Sequence, residues 1–114
     1  DPGDGIKAYN LLLATESFSN QSKITVCDLG SGFGGVVEKL ARWNKGIARY
    51  ILIDIPVNLT SAYAYLSFGF DSGSLHLIKS PEQFNDLIGE EFNSNQFILL
   101  PSAYVDCLKG VDIN

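Results

Sequence analysis

The sequence predicts an α/β domain with a mostly parallel sheet between two layers of helices, a three-layer αβα arrangement. The first observation is a β-branched apolar segment, Ile24-Thr25-Val26-Cys27, that runs through Asp28-Leu29 into Gly30-Ser31-Gly32-Phe33-Gly34-Gly35 and then into residues with helical spacing. The second is Tyr50-Ile51-Leu52-Ile53-Asp54-Ile55, nearly continuous in apolar residues, as a strand must be when helices cover both of its faces. The third is the order of the patterns, β, α, β, α, each closed by Gly or Pro signals, which suits parallel strands joined by helical crossovers.

Each element has its own signal. Between Asp4 and Phe18, residues Ile6, Tyr9, Leu12, Leu13 and Phe18 fall near helical spacing with Asp4 available as N-cap, so residues 1–22 are expected to be a leading helix and a loop, the loop supplied by the polar run Ser19 to Ser22. After the glycine loop, Val36, Val37, Leu40, Ala41 and Trp43 mark the inner face of a helix that Gly46 terminates. Pro56 closes the second strand, and Leu59, Ala62, Tyr63, Tyr65, Leu66 and Phe68 mark a second helix that ends by Gly69, Asp71 and Gly73. Leu75 to Lys79 is expected to be a strand, Glu82 to Ile88 a short helix after Pro81, and Gln96 to Leu100 a strand before Pro101. Val111-Asp112-Ile113-Asn114 reads as the start of one more strand, and the chain has no methionine even at position 1, so it reads as a piece of a longer protein. With no repeat or linker, residues 24–114 are expected to form the βαβ core of a single domain.

Composition narrows the function. With 46% hydrophobic and 18% charged residues the chain resembles a globular domain and not a disordered tail. Its 13 Asp and Glu exceed its 8 Lys and Arg, without a basic cluster, which argues against nucleic acid as a partner. No apolar run approaches the roughly 20 residues that span a bilayer, and the N-terminus lacks a secretory pattern, so a cytoplasmic protein with no membrane partner is expected. Cys27 and Cys107 form no CxxC pair and are expected to be small buried apolar residues; no metal site is expected. His76, the only histidine, is expected to have a structural or surface role, Trp43 to pack, Tyr63, Tyr65, Phe68 and Phe70 to join the core, and Glu90 and Glu91 to lie on a solvated turn.

The glycine loop fits two patterns, GxGxxG through Gly30, Gly32 and Gly35 and GxGxG through Gly30, Gly32 and Gly34. Both allow a sharp turn from strand to helix and a ligand lying on bare backbone. Asp28, two residues ahead of Gly30, separates the candidate ligands. A dinucleotide brings a doubly negative pyrophosphate here, which an Asp repels. S-adenosylmethionine brings an ammonium and a sulfonium that Asp28 attracts, and a carboxylate that the loop N–H groups and the helix N-terminus accept. Asp54, 19 residues after Gly35, stands where an acid accepts hydrogen bonds from both hydroxyls of a ribose, a group common to both ligands.

At these residues the chain resembles the class I S-adenosylmethionine-dependent methyltransferases, whose first motif reads as an acidic residue, an aliphatic residue, then GxGxG; Asp28-Leu29-Gly30-Ser31-Gly32-Phe33-Gly34 matches it. More narrowly, Tyr50 to Pro56, Ala62-Tyr63-Ala64-Tyr65-Leu66-Ser67 and Phe97-Ile98-Leu99-Leu100-Pro101 are similar to the sugar O-methyltransferases, in which a "DLP" segment, a "YxLS" helix and an "LLP" strand recur in this order, and the closing residues 111–114 resemble that group's fourth strand. The resemblance covers roughly residues 24–114. It implies a Rossmann-like methyltransferase fold truncated near the fourth strand, S-adenosylmethionine as cofactor, and a saccharide or other small hydroxyl compound as methyl acceptor. It also implies that Asp28, Gly30, Ser31, Gly32, Phe33 and Gly34 surround the methionine part, that Asp54 meets the ribose and Ile55 the adenine, and that the adenine edge is met near Lys79 or near Ser102. No catalytic residue is identified. In the family's strand order the first strand lies between the second and the fourth, so a chain stopping at the fourth is expected to leave an apolar edge and to be marginally stable alone. An NAD-dependent oxidoreductase, suggested by Gly30, Gly32, Gly35 and Asp54, and a scaffold domain without turnover are the competing readings.

Overall fold

A computed structural model describes residues 23–44 and 46–111. The expected leading helix, and all of the expected last strand but Val111, lie outside them. The described chain is an α/β unit: β1 (Lys23–Leu29), α1 (Gly35–Trp43), β2 (Ile47–Asp54), α2 (Pro56–Ser67), β3 (Leu75–Leu77), α3 (Pro81–Ile88) and β4 (Gln96–Pro101), with 3-10 turns at Ser72–Ser74 and Ser102–Leu108. The four strands form one parallel sheet in the order β1-β2-β4-β3, an arrangement consistent with a Rossmann-like fold.

The apolar runs are continuous because β2 and β4 are buried on both sides. Tyr50, Leu52, Phe97 and Leu99 join Val37 and Leu40 of α1 and Leu59 and Leu66 of α2 in one core. Ile51, Ile53, Ile98 and Leu100, one residue out of phase, meet Phe84 of α3 in a second core on the opposite face. In the first core the rings of Tyr50 and Phe97 stack at 5.3 Å and 15°, a contact that contributes roughly 1 kcal/mol beyond area burial.

Several boundaries differ from the sequence reading for local reasons. The second helix starts at Pro56, whose fixed φ and missing N–H suit the first helical position, so the proline that ends β2 also opens α2. The third helix starts at Pro81 for the same reason; Ser80 Oγ accepts from Gln83 N–H at 3.2 Å, and Gln83 Oε1 accepts from Lys79 N–H at 2.8 Å. The second strand begins three residues early, at Ile47, because Arg49 is usable inside the fold: it is 6% exposed and donates to the carbonyls of Leu87, Ile88 and Glu90 and to Gln96 Oε1. These carbonyls close the C-terminal end of α3, where a cation is favoured. The aromatic group is split. Tyr63, Tyr65 and Phe70 pack on the first core, whereas Phe68, the residue that follows α2, is 92% exposed. Trp43 is likewise 42% exposed at the end of α1. Cys27 and Cys107 are free thiols, partly buried against the second core.

At the sheet margin, β1 pairs with β2 and with no other described strand. Among the described residues no helix is long and apolar enough to cross a membrane.

Candidate functional site

The site grows from the adjacent carboxyl ends of β1 and β2, which run parallel with Asp28 opposite Leu52 and Leu29 opposite Ile53. Past Leu29 the chain cannot continue as a strand. Gly30 and Ser31 N–H both donate to the Ile53 carbonyl, at 2.8 and 3.3 Å, and Gly34 N–H donates to the Ser31 carbonyl at 3.0 Å, closing a tight turn. Glu38 N–H to the Gly34 carbonyl, 2.9 Å, opens α1.

The turn alternates handedness, with φ of 72° at Gly30, 59° at Gly32 and 90° at Gly34. These three positions need glycine, because a side chain raises the energy of the left-handed region by roughly 1–2 kcal/mol; Gly35 is the first residue of α1 and carries no such demand. The conformational requirement therefore follows GxGxG. A Cβ on Gly30 or Gly32 would meet nothing within 4 Å, so the loop presents bare backbone to open space there. Gly34 instead backs onto Leu66 and Ala62 of α2, at 3.5 and 3.6 Å from a notional Cβ.

Asp54, at the end of β2, bridges the two strand ends. Its Oδ2 accepts from Gly32 N–H at 2.8 Å, and its Oδ1 accepts from Ile55 N–H at 2.7 Å and from Asn58 Nδ2 at 3.0 Å. The Gly32 and Ile55 amides, with Asn58 beside them, hold its carboxyl below the usual aspartate range. An ionised carboxylate has about four acceptor positions, so this one retains capacity on Oδ2.

The structure brings the expected site residues together. Asp28, Gly30, Ser31, Gly32, Phe33, Gly34, Asp54 and Ile55 all lie at the carboxyl ends of β1 and β2 or on the loop between β1 and α1. Phe33, 41% exposed, stands edge-on to Tyr65 of α2 at 5.1 Å. Leu29, Ile55 and Val57 add an exposed apolar rim. Ser31 Oγ is buried with no hydrogen-bond partner among the described residues. The N-cap of α1 is Gly34, which has no side chain to cap the first turn.

Comparison with family models, curated proteins and solved structures finds no match. What the site can hold must be read from its own geometry. A cavity of about 400 Å³ opens between Pro56, Thr60, Lys79, Pro101, Ala103 and Tyr104, and Pro101 is the register partner of Asp54 on β4. Ser102 follows β4, the strand bonded to β2, whereas Lys79 lies beyond β3, one strand farther out.

Two residues are kept out of the site. His76 lines a recess with Glu91, Phe92 and Gln96, among the residues that lead into β4, and burial pushes its imidazole below the usual range. Cys27 adjoins Asp28, but burial, with the Asp28 charge second, pushes its thiol up, so it is not a ready nucleophile. Among the described residues no three His, Cys, Asp or Glu side chains are placed to hold a metal ion. Asn58 was missed in the sequence; the available signal was its spacing, one helical turn after Asp54 and just past the helix-opening Pro56.

Proposed function

We propose that this chain is the cofactor-binding part of an S-adenosylmethionine-dependent methyltransferase with a Rossmann-like fold, acting on a saccharide or other small hydroxyl acceptor. The observation that carries the reading is the pairing of an acid two residues ahead of a GxGxG turn, Asp28, with an acid at the end of the neighbouring parallel strand, Asp54. Three features support the fit of the cofactor. The open backbone at Gly30 and Gly32 admits a ligand without displacing a side chain. The uncapped N-terminus of α1 suits the cofactor's carboxylate, and Asp28 its ammonium. The left-handed positions at 30, 32 and 34 require glycine and give the loop the sharp turn from strand to helix on which such a ligand lies.

In this reading Asp54 meets the ribose through the acceptor position left on Oδ2, Ile55 and the cavity beside Pro101 flank the adenine, and the adenine edge is met near Ser102, which follows β4, the strand next to β2, or near Lys79, which lines that cavity. When bound, the cofactor supplies a methyl group already activated by its sulfonium. The residues of this chain bind and orient it and exclude water on the side of Phe33 and Leu29. The sugar or small hydroxyl acceptor rests on the family resemblance. Equilibrium dialysis against labelled S-adenosylmethionine tests the reading: saturable retention supports it, and no retention at millimolar ligand contradicts it.

A further inference from the structure

We infer that Asn58 is a positioning residue that sets the orientation of the Asp54 carboxylate and so determines how strongly the site distinguishes a ribose diol from a sugar lacking those hydroxyls. The inference rests on the proposed binding of an adenosyl ligand and extends it to a residue outside both motifs. Among the described residues Asp54 has one side-chain donor, Asn58 Nδ2 at 3.0 Å, and two backbone donors, Ile55 and Gly32. Ile55 and Asn58 both occupy Oδ1, so Oδ2 is left facing the glycine loop with only the Gly32 N–H upon it. Without Asn58, the carboxylate keeps one backbone donor on each oxygen, Ile55 on Oδ1 and Gly32 on Oδ2, so rotation about the Cβ–Cγ bond, a broad torsion, is limited by those two peptides alone and loses its tie to the side chains of α2. Asn58 can act in this way because Pro56 starts α2 directly after Ile55. That start places residue 58 in the first turn, its backbone N–H bonded to the Ile55 carbonyl at 3.0 Å and its side chain returned toward Asp54.

The test compares S-adenosylhomocysteine with its 2′,3′-dideoxy analogue by calorimetry on the unaltered chain, Asn58→Ala and Asn58→Leu, with circular dichroism to establish folding. The leucine variant keeps the side chain's approximate shape and serves if the alanine variant does not fold. The unaltered chain is expected to prefer the diol by about tenfold, the scale of a hydrogen bond to a charged acceptor. Both variants are expected to lose most of that preference while their affinity for the dideoxy analogue stays within about twofold. A merely structural role would weaken both ligands together. Retention of the full tenfold preference in the folded variants would overturn the role of Asn58. Equal affinity of the unaltered chain for the two ligands would overturn the ribose reading, and this inference with it.

Discussion

Gly32 and Asp54, 22 residues apart in sequence, are joined by a 2.8 Å hydrogen bond from the glycine amide to the carboxylate. This bond ties the turn after β1 to the end of β2 and makes the loop conformation depend on an ionised side chain.

The pH dependence follows from that bond. Asp54 has its carboxyl pKa lowered from the ordinary 3.8, first by the Gly32 amide and then by the Ile55 amide. A lowered carboxylate pKa contributes stability that is full above the unfolded value and is lost as pH falls through the folded one. The Gly32 amide resonance is therefore expected to titrate below pH 3.8, and this step should vanish in Asp54→Asn. A Gly32 amide that titrates at the ordinary aspartate value contradicts the coupling.

The turn itself is testable by its handedness. Gly34→Ala is expected to cost about 1–2 kcal/mol, because alanine must adopt a positive φ. The contacts its methyl would make, at 3.5 Å and beyond, are ordinary ones. Gly73→Ala, at a position with no positive φ and open space around it, is expected to stay within about 0.5 kcal/mol. Urea denaturation of the two variants measures the difference, and equal costs contradict the account of the turn.

Arg49 gives a prediction away from the site. Replacing it by methionine takes the donor from the carbonyls of Ile88 and Glu90, removes one of the donors to Leu87, whose carbonyl keeps the Glu90 N–H, and leaves Gln96 Oε1 without its 2.6 Å donor. The expected loss is about 1–3 kcal/mol, since partly buried acceptors lose a charged donor. A thermal transition within a degree or two of the unaltered chain would show that these bonds contribute little.

Tyr65 links the loop to both helices: its ring meets Phe33 and its hydroxyl donates to Glu38 Oε1 at 3.1 Å. Tyr65→Phe keeps the ring contact and removes the hydrogen bond, for an expected loss of about 0.5–1.5 kcal/mol. Tyr65→Ala removes both and should cost more, which the same denaturation experiment reads.

The parts of this structure that could be read from sequence are those specified locally. Asp28 through Gly35 carries its own turn, because the left-handed positions fall on glycines, and Tyr50 to Asp54 is recognisable as a strand buried on two faces by its unbroken apolar run. What escaped was specified by distant partners. Arg49 looks like a residue before a strand until the carbonyls closing α3 are brought to it. Asn58 looks like a polar helix residue until Asp54 is placed beside it. Phe68 and Trp43 have core composition, but they stand where α2 and α1 end, and the ends of those helices leave them facing solvent.

The proposed function requires that the loop and its two acids receive S-adenosylmethionine. Calorimetric titration of the chain and of Asp28→Ala with S-adenosylhomocysteine and with NADH tests it most directly. Saturable binding of S-adenosylhomocysteine is expected, weakened about tenfold or more by Asp28→Ala through loss of the charge facing the ammonium, with no comparable binding of NADH. NADH binding that Asp28→Ala leaves unchanged, with no binding of S-adenosylhomocysteine at millimolar concentration, would contradict it.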